Sequence, residues 1–516
     1  MPSSTSSPLN GSSTTGPSGN SPAADLPDRL RAALSDADYT YDGVAELLGT
    51  TAHTALSRNE TVPGLQRTRG GTPLETLTRL FLLQTPVSVA DAEKALPDLV
   101  DRMAAEGILE RSVGEVAARL DVRPYADEER DLWVVSDLTP GLDGTPNKVG
   151  PDHVLGISSA STSLAQLTIR GPVDTALDLG TGCGVQALHL AAHARSVVAT
   201  DVNQRALWMT RLNAQLNGVS AGSTAGGTID VREGSFFEPV RGERFDLIAT
   251  NPPFVISPAT GERLVYRDSG LPGDRVVENI VRAAPGHLTD GGWCQILANW
   301  VIAEDRGWDE RLAEWVTDCD AWVVQREVVD PATYVELWLK DAGLQGSPDY
   351  VRRYDTWLAW FAEQGIEAVG FGWINLRRTE REPTVRMEEW PYDVEQPIAP
   401  TIHDWGVAID GLHALDDAAL LGARPVARND VQQETLGAPG AEDPHTVVLR
   451  QRRGLRRARQ ADTLVAALVG ACDGELTIGQ ILDALAELLG VDTDEARSTH
   501  LPTVRELVEE GFLVAG

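Results

Sequence analysis

The stretch from Thr175 to Phe254 constrains the fold more than any other part of this chain. It contains Ala176-Leu-Asp-Leu-Gly-Thr-Gly-Cys-Gly184, then Val197-Val-Ala-Thr-Asp201, then Phe245-Asp-Leu-Ile-Ala-Thr-Asn-Pro-Pro-Phe254. Each piece begins as a short apolar run and ends on turn residues, the pattern of a buried strand. Strand signals alternate with helix signals from there on, as in an α/β domain with a mainly parallel sheet. Strands are expected over 175–179, 196–200, 228–232, 245–250, 293–298, 322–327 and 368–376, with a helix over 330–343 before the last. The predicted fold is a seven-stranded Rossmann-like sheet.

Asp178 closes the first strand. Gly180, Gly182 and Gly184 then form the turn into a helix starting near Val185. Glycine permits a sharp turn and a close approach of backbone to ligand. Asp201 ends the next strand, where a carboxylate accepts hydrogen bonds from both hydroxyls of a ribose. This spacing fits NAD or S-adenosylmethionine. Asp178 tilts the choice, because a carboxylate beside the turn disfavours a pyrophosphate and complements a cationic amino-acid moiety. Thr181 is placed to help hold that moiety.

Asn251-Pro-Pro-Phe254 follows the fourth strand. The Asn251 side-chain carbonyl can accept a hydrogen bond from a substrate N–H. Pro252 has no N–H but keeps its carbonyl, a second acceptor. Pro253 stiffens the loop with Pro252, and Phe254 supplies an aromatic face for a flat group. Two acceptors hold a planar nitrogen with its lone pair turned toward an electrophilic methyl group, so that positioning does most of the work.

These motifs resemble the class I S-adenosylmethionine-dependent methyltransferases of the small-domain type. That group acts on adenine N6, guanine N2 and the glutamine amide of translation release factors. The resemblance covers roughly 150–380. It implies that Gly180, Gly182 and Gly184 contact the methionine end of the cofactor, that Asp201 holds its ribose, that Val202 flanks its adenine, and that Asn251 with Pro252 orients the amine. Many relatives carry an acidic residue after the third strand to receive the adenine amine. Here Ser235 takes that place and Phe236 follows it. RNA enzymes of the group often have a histidine after the Phe, where this chain has Val255.

The acceptor is harder to read. The chain has 44 basic against 76 acidic residues, a net charge of −32, which argues against broad polyanion affinity. Against that background, Arg450, Arg452, Arg453, Arg456, Arg457 and Arg459 form a local basic run suited to RNA phosphates. RNA is therefore the expected acceptor partner, with a protein glutamine as the alternative. DNA adenine ranks third, and a cofactor-binding module without turnover is the reading from another class. A segment within 261–274 is a candidate substrate lid. His189 and His193 lie four apart on a helix but lack a third ligand, so no metal is expected.

Residues 1–26 form a small, polar, Pro/Gly-rich stretch expected to be a disordered tail. A helical, winged-helix-like domain is expected over 27–140, with 107–109 and 132–135 as wing strands. The catalytic domain is expected over 150–395, a connecting region over 396–459, and a second winged-helix-like module over 460–516. No secretory signal or long apolar run is evident, so a cytoplasmic protein without membrane contact is expected.

Overall fold

The computed structural model describes residues 26–127, 130–145, 149–150, 152–219, 227–258, 271–439 and 446–514. Residues 1–25 of the expected tail and 261–270 of the candidate lid lie outside them; Leu26, placed in the tail by its sequence, instead opens a helix, Leu26–Asp36, with its side chain buried.

Among the described residues, eight strands form the central sheet: β1 (Val173–Leu179), β2 (Ala194–Asp201), β3 (Thr228–Glu233), β4 (Phe245–Thr250), β5 (Leu288–Ala303), β6 (Cys319–Val329), β7 (Ile366–Arg378) and β8 (Val385–Glu389). Their order is β8-β6-β7-β5-β4-β1-β2-β3. The strands from β3 to β5 run parallel, and β7 runs antiparallel to both β5 and β6. All seven expected strands are present. The count is corrected by β8, which pairs in parallel with β6 at the edge. Its sequence, Val385-Arg-Met-Glu-Glu389, carries three charges in five residues and lacks the apolar face that marks a strand.

The chain crosses from one side of β1 to the other between β3 and β4. Open α/β sheets bind ligands at such a switch point, outside the strands' carboxyl ends. β1 and β4 end level, with Leu179 opposite Thr250. Thr250 Oγ1 donates to Leu179 O at 2.7 Å, fixing the two ends together. The glycine turn and the Asn-Pro-Pro-Phe loop therefore leave the sheet side by side.

Around the sheet lie α1 (Ser159–Leu167), α2 (Val185–Leu190), α3 (Gln204–Leu216), α4 (Arg275–Ala283), α5 (Trp308–Ala313), α6 (Pro331–Asp341), α7 (Asp349–Glu363) and α8 (Ala399–Ala414). Ser158 caps α1 in a reciprocal pair with Ser161. The two helices between β6 and β7 are an aromatic hairpin. Tyr334, Trp338, Trp357 and Phe361 pack there with Val255 and Ile256 of the loop after β4.

Toward the N-terminus, helices lead into a small sheet of Val87–Ser88, Glu115–Ala118 and Leu109–Arg111. Residues 132–135 are not in it, contrary to expectation. They belong to a second hairpin, Leu120–Ala126 with Asp131–Asp137. Leu109–Arg111 instead pairs across a tight turn with Glu115–Ala118, a nearer partner with a smaller closure cost.

The region expected as a connector is packed structure. Trp405 of α8 lies 5.4 Å from Trp322 and 6.5 Å from Trp293, ring centre to centre, against the sheet. Leu420 and Leu449 share a core with Leu464, Leu482, Val504 and Phe512. The three-stranded sheet Val431–Leu436, Thr446–Gln451 and Ala458–Ala461 thus belongs to the C-terminal unit. Its last helix, Thr493–Glu509, starts earlier than its Pro502 suggests, because Asp492 caps it. Among the described residues, no helix is long and apolar enough to cross a membrane.

Candidate active site

Gly180, Gly182 and Gly184 all have positive φ, at 79°, 56° and 86°. L residues with side chains rarely adopt that conformation. The three then differ. A Cβ on Gly180 or Gly182 would meet nothing within 4 Å, so the backbone there faces open space. A Cβ on Gly184 would come within 2.9 Å of Thr210 Cγ2. Gly184 is thus demanded by packing against α3, a different reason from the ligand contact expected of it.

The turn is tied down from several sides. Gly180 N and Thr181 N both donate to Thr200 O at 2.9 Å. Gly182 N donates to Asp201 Oδ2 at 3.0 Å, and Asn203 N donates to Asp201 Oδ1 at 2.8 Å. Thr210 Oγ1 donates to Gly182 O at 2.9 Å, and Asn213 Nδ2 to Cys183 O at 2.7 Å. Thr210 and Asn213 were not among the expected site residues. Their one sequence signal is polarity on a helix face that is otherwise mostly buried and apolar.

Asp178 sits beneath the turn, almost wholly buried, and accepts from Thr181 Oγ1 at 2.6 Å and Ala187 N at 2.9 Å. Burial pushes its carboxyl up to about 7, against those two bonds and with a further upward push from Asp201. Burial also raises Asp201, opposed by the N–H groups of Asn203, Gly182 and Val202. An ionised Asp178 is therefore costly until a cation approaches. The sign follows: a ligand bearing an ammonium favours the carboxylate, releases the proton, and binds more tightly as pH rises through 7. Affinity for S-adenosylmethionine is expected to rise several-fold from pH 6 toward pH 7.5 and to fall again above about pH 8, where the ligand's own α-ammonium deprotonates. Asp178→Asn flattens that rise, and 5′-methylthioadenosine, which lacks the amino-acid end, shows none. Titration calorimetry in buffers of differing ionisation enthalpy reads both affinity and proton release.

Val202, beside Asp201, is strongly exposed for an apolar residue at 66%. Ser235 is exposed after β3. Phe236 takes a positive φ of 46°, a strained conformation of the kind that clusters at ligand sites.

On the other side of the switch point, Asn251 follows β4. Its Oδ1 is buried and, among the described residues, has no hydrogen-bond partner. An unpaired buried acceptor costs about 1–3 kcal/mol, so a missing donor is the natural reading. Pro252 is buried, while Pro253 and Phe254 are half-buried. Phe254 meets Trp338 edge-on with ring centres 6.3 Å apart. Ile256 N donates to Tyr334 Oη at 2.8 Å, and Asn299 Nδ2 donates to the same oxygen at 2.9 Å. Tyr334 and Asn299, also unexpected, brace the loop from the α6–α7 hairpin and from β5. Only Asn299 had a sequence signal, a lone amide in the apolar run Ile296-Leu-Ala-Asn-Trp-Val-Ile302.

The arginine run is not one surface. It forms a hairpin turn with Arg452, Arg453 and Arg456 exposed. Arg450 pairs with Glu434, and Arg459 with Glu506 and Glu510. Arg457 is buried against Glu388 at 2.5 Å. Three of the six guanidinium groups are thus engaged by carboxylates within the chain. His189 Nε2 lies 3.0 Å from Tyr125 Oη, and burial pushes its pKa down to about 4.

With this geometry in view, residues 157–323 match the methyltransferase small domain. The central domain is a class I S-adenosylmethionine-dependent methyltransferase domain. Residues 36–119 and 409–515 match two domains of unknown function, DUF7059 and DUF7782. A release factor glutamine methyltransferase of Xylella fastidiosa is 34% identical over 24% of this chain and 46% of its own length. That of Yersinia pestis is 37% identical over 34% of this chain and 62% of its own. A ribosomal RNA small subunit methyltransferase C of Cronobacter sakazakii is 31% identical over 37% of this chain and 49% of its own. The chain therefore spans about half the length of the curated relatives it matches. The cofactor implied by the domain, S-adenosylmethionine, fits the residues present: a backbone cradle open at Gly180 and Gly182, and carboxylates at Asp178 and Asp201.

Proposed function

We propose that this chain methylates a primary carboxamide nitrogen, a glutamine side chain of a protein substrate, using S-adenosylmethionine. The observation that carries the reading is the buried Asn251 Oδ1, without a partner among the described residues, beside the open glycine cradle. Bound cofactor supplies an electrophilic methyl on a sulfonium. Asp178 and Thr181 hold its amino-acid end, Asp201 its ribose, and Val202, Ser235 and Phe236 its adenine. Asn251 Oδ1 and the Pro252 carbonyl take the two N–H groups of the acceptor and turn its nitrogen toward the methyl. Pro253 and Phe254 fix the loop that aims them.

The glutamine reading now stands ahead of RNA, reversing the order expected from the sequence. Two of the relatives above are named glutamine methyltransferases. The net charge of −32 suits a basic polypeptide better than a polyanion. RNA is the second reading, favoured by exposed Arg452, Arg453 and Arg456 and by the ribosomal RNA relative. The order helix–strand–helix–helix–strand–strand over 73–118 supports a winged-helix reading of the N-terminal unit.

The deciding experiment transfers tritiated methyl from S-adenosylmethionine to a lysate of cells lacking this chain. Label removed by protease and recovered as N5-methylglutamine is the expected result. Label removed by nuclease would assign a nucleic-acid base instead.

A further inference from the structure

Asn213 on α3 and Asn217, the residue that caps its C-terminus, lie one turn apart. Asn213 Oδ1 accepts from Val135 N at 2.7 Å, and its Nδ2 donates to Val135 O at 2.8 Å. Asn217 repeats the pattern on Trp133, at 2.9 and 2.8 Å. Residues 133 and 135 lie on the strand Asp131–Asp137, whose other edge pairs with Leu120–Ala126. Two side-chain amides thus stand in for a neighbouring strand and satisfy an edge that would otherwise be buried unpaired.

The second hydrogen of each Nδ2 goes to a different place. That of Asn217 returns to its own helix, at Asn213 O, 2.8 Å away. That of Asn213 reaches Cys183 O, inside the glycine turn, at 2.7 Å. Asn213, and not Asn217, therefore joins the hairpin to the cofactor turn. A parallel connection runs along the rim. Asp137 of the hairpin accepts from Arg205 Nε at 3.0 Å, Asn203 Oδ1 accepts from Arg205 N at 2.9 Å, and Asn203 N binds Asp201.

We propose that Asn213 is a positioning residue for the cofactor site, coupling the docked hairpin to the conformation of the glycine turn; this rests on the S-adenosylmethionine reading. The physical need is specific. A turn with three left-handed glycines has no side chains of its own to stiffen it at Gly180, Gly182 and Gly184. Its carbonyls must be held from outside, and Thr210 and Asn213 hold two consecutive ones. A turn held in its binding shape loses less conformational freedom when ligand arrives, and binds more tightly for it. By reciprocity, ligand on the turn must tighten the hairpin.

Titration calorimetry with S-adenosylmethionine on the full chain tests this. Asn213→Leu is expected to weaken binding about tenfold or more. Asn217→Leu loses the matching pair of hairpin bonds but none to the turn, and is expected to stay within about twofold of wild type. Equal weakening by both variants, in step with lost thermal stability, would reduce Asn213 to a structural role. Unchanged binding by Asn213→Leu would overturn the proposal outright. A second measurement needs no variant. Hydrogen exchange on the wild-type chain should slow at Val135 N–H when S-adenosylmethionine is added, and much less at Trp133 N–H. Equal protection, or none, overturns the coupling. A wild-type chain that binds no S-adenosylmethionine would overturn the methyltransferase reading itself, a result separable from all of these.

Discussion

Asn251→Ala should lower methyl transfer by about 10²–10³-fold, the usual cost of removing one preorganised polar group from a reacting centre. Cofactor affinity should barely move, because the glycine turn, Asp178 and Asp201 are held by other contacts. Stability should hold or rise. Oδ1 of Asn251 is buried without a donor among the described residues, so the substitution removes a polar group that was a net cost. That combination separates an acceptor role from a structural one. A residue holding the loop together would lose stability along with activity. Initial rates of tritium transfer, a melting curve and a calorimetric titration on one preparation decide between them. A large fall in cofactor affinity would move Asn251 from the acceptor side of the site to the cofactor side.

What could be read from the sequence was whatever lay within one contiguous segment. Asp178 to Gly184 and Phe245 to Phe254 each carry strand, turn and functional residue together, so spacing alone located both. The register that sets Leu179 beside Thr250 follows from the parallel order of two such segments. Tyr334 and Asn299 were not legible in this way. Tyr334 meets Ile256 across 78 residues of chain, through a helical hairpin inserted between two strands. Asn213 and Asn217 serve an edge strand 78 and 84 residues upstream. Pattern reading sees period and propensity along the chain, and these bonds are made between segments whose meeting the sheet decides. The run Leu132-Trp-Val-Val135 shows the intermediate case. Its strand character was plain, but its partner depended on a closer competitor for Leu109–Arg111.

The arginine run is the sharpest instance of that limit, and it carries the second large effect. Arg457→Ala should destabilise the fold by about 3–5 kcal/mol, the cost of stranding one member of a buried ion pair. Glu388 on β8 accepts from Arg457 at 2.5 and 2.7 Å, from Arg386 at 3.1 Å and from Trp322 Nε1 at 2.9 Å. Burial pushes the Glu388 carboxyl up, but Arg386 and Arg457 together hold it below the ordinary range. Arg457 in turn lies over the Trp390 ring at 4.8 Å. Arg386 bridges onward to Glu509 of the last helix. The sign with pH follows from the lowered Glu388: its contribution is present above the ordinary glutamate range and is lost as pH falls through the folded value. Arg457→Ala should therefore lower the denaturation midpoint most near neutral pH, with the gap to wild type narrowing in acid. Arg450→Ala, which breaks an exposed pair with Glu434, should leave the midpoint unchanged. Glu388→Gln combined with Arg457→Met removes both charges, keeps an acceptor for Trp322, and should recover much of the loss. If Arg457→Ala were as mild as Arg450→Ala, the clamp between β8 and the C-terminal unit would have to reside in Arg386, through its pairs with Glu509 and Glu510. Arg457 faces Glu388, an internal partner that lies on the edge strand with the least strand-like sequence in the sheet. Until that strand is placed, six arginines in ten residues read as a surface for phosphates; once it is placed, one of them is the bolt of an internal joint.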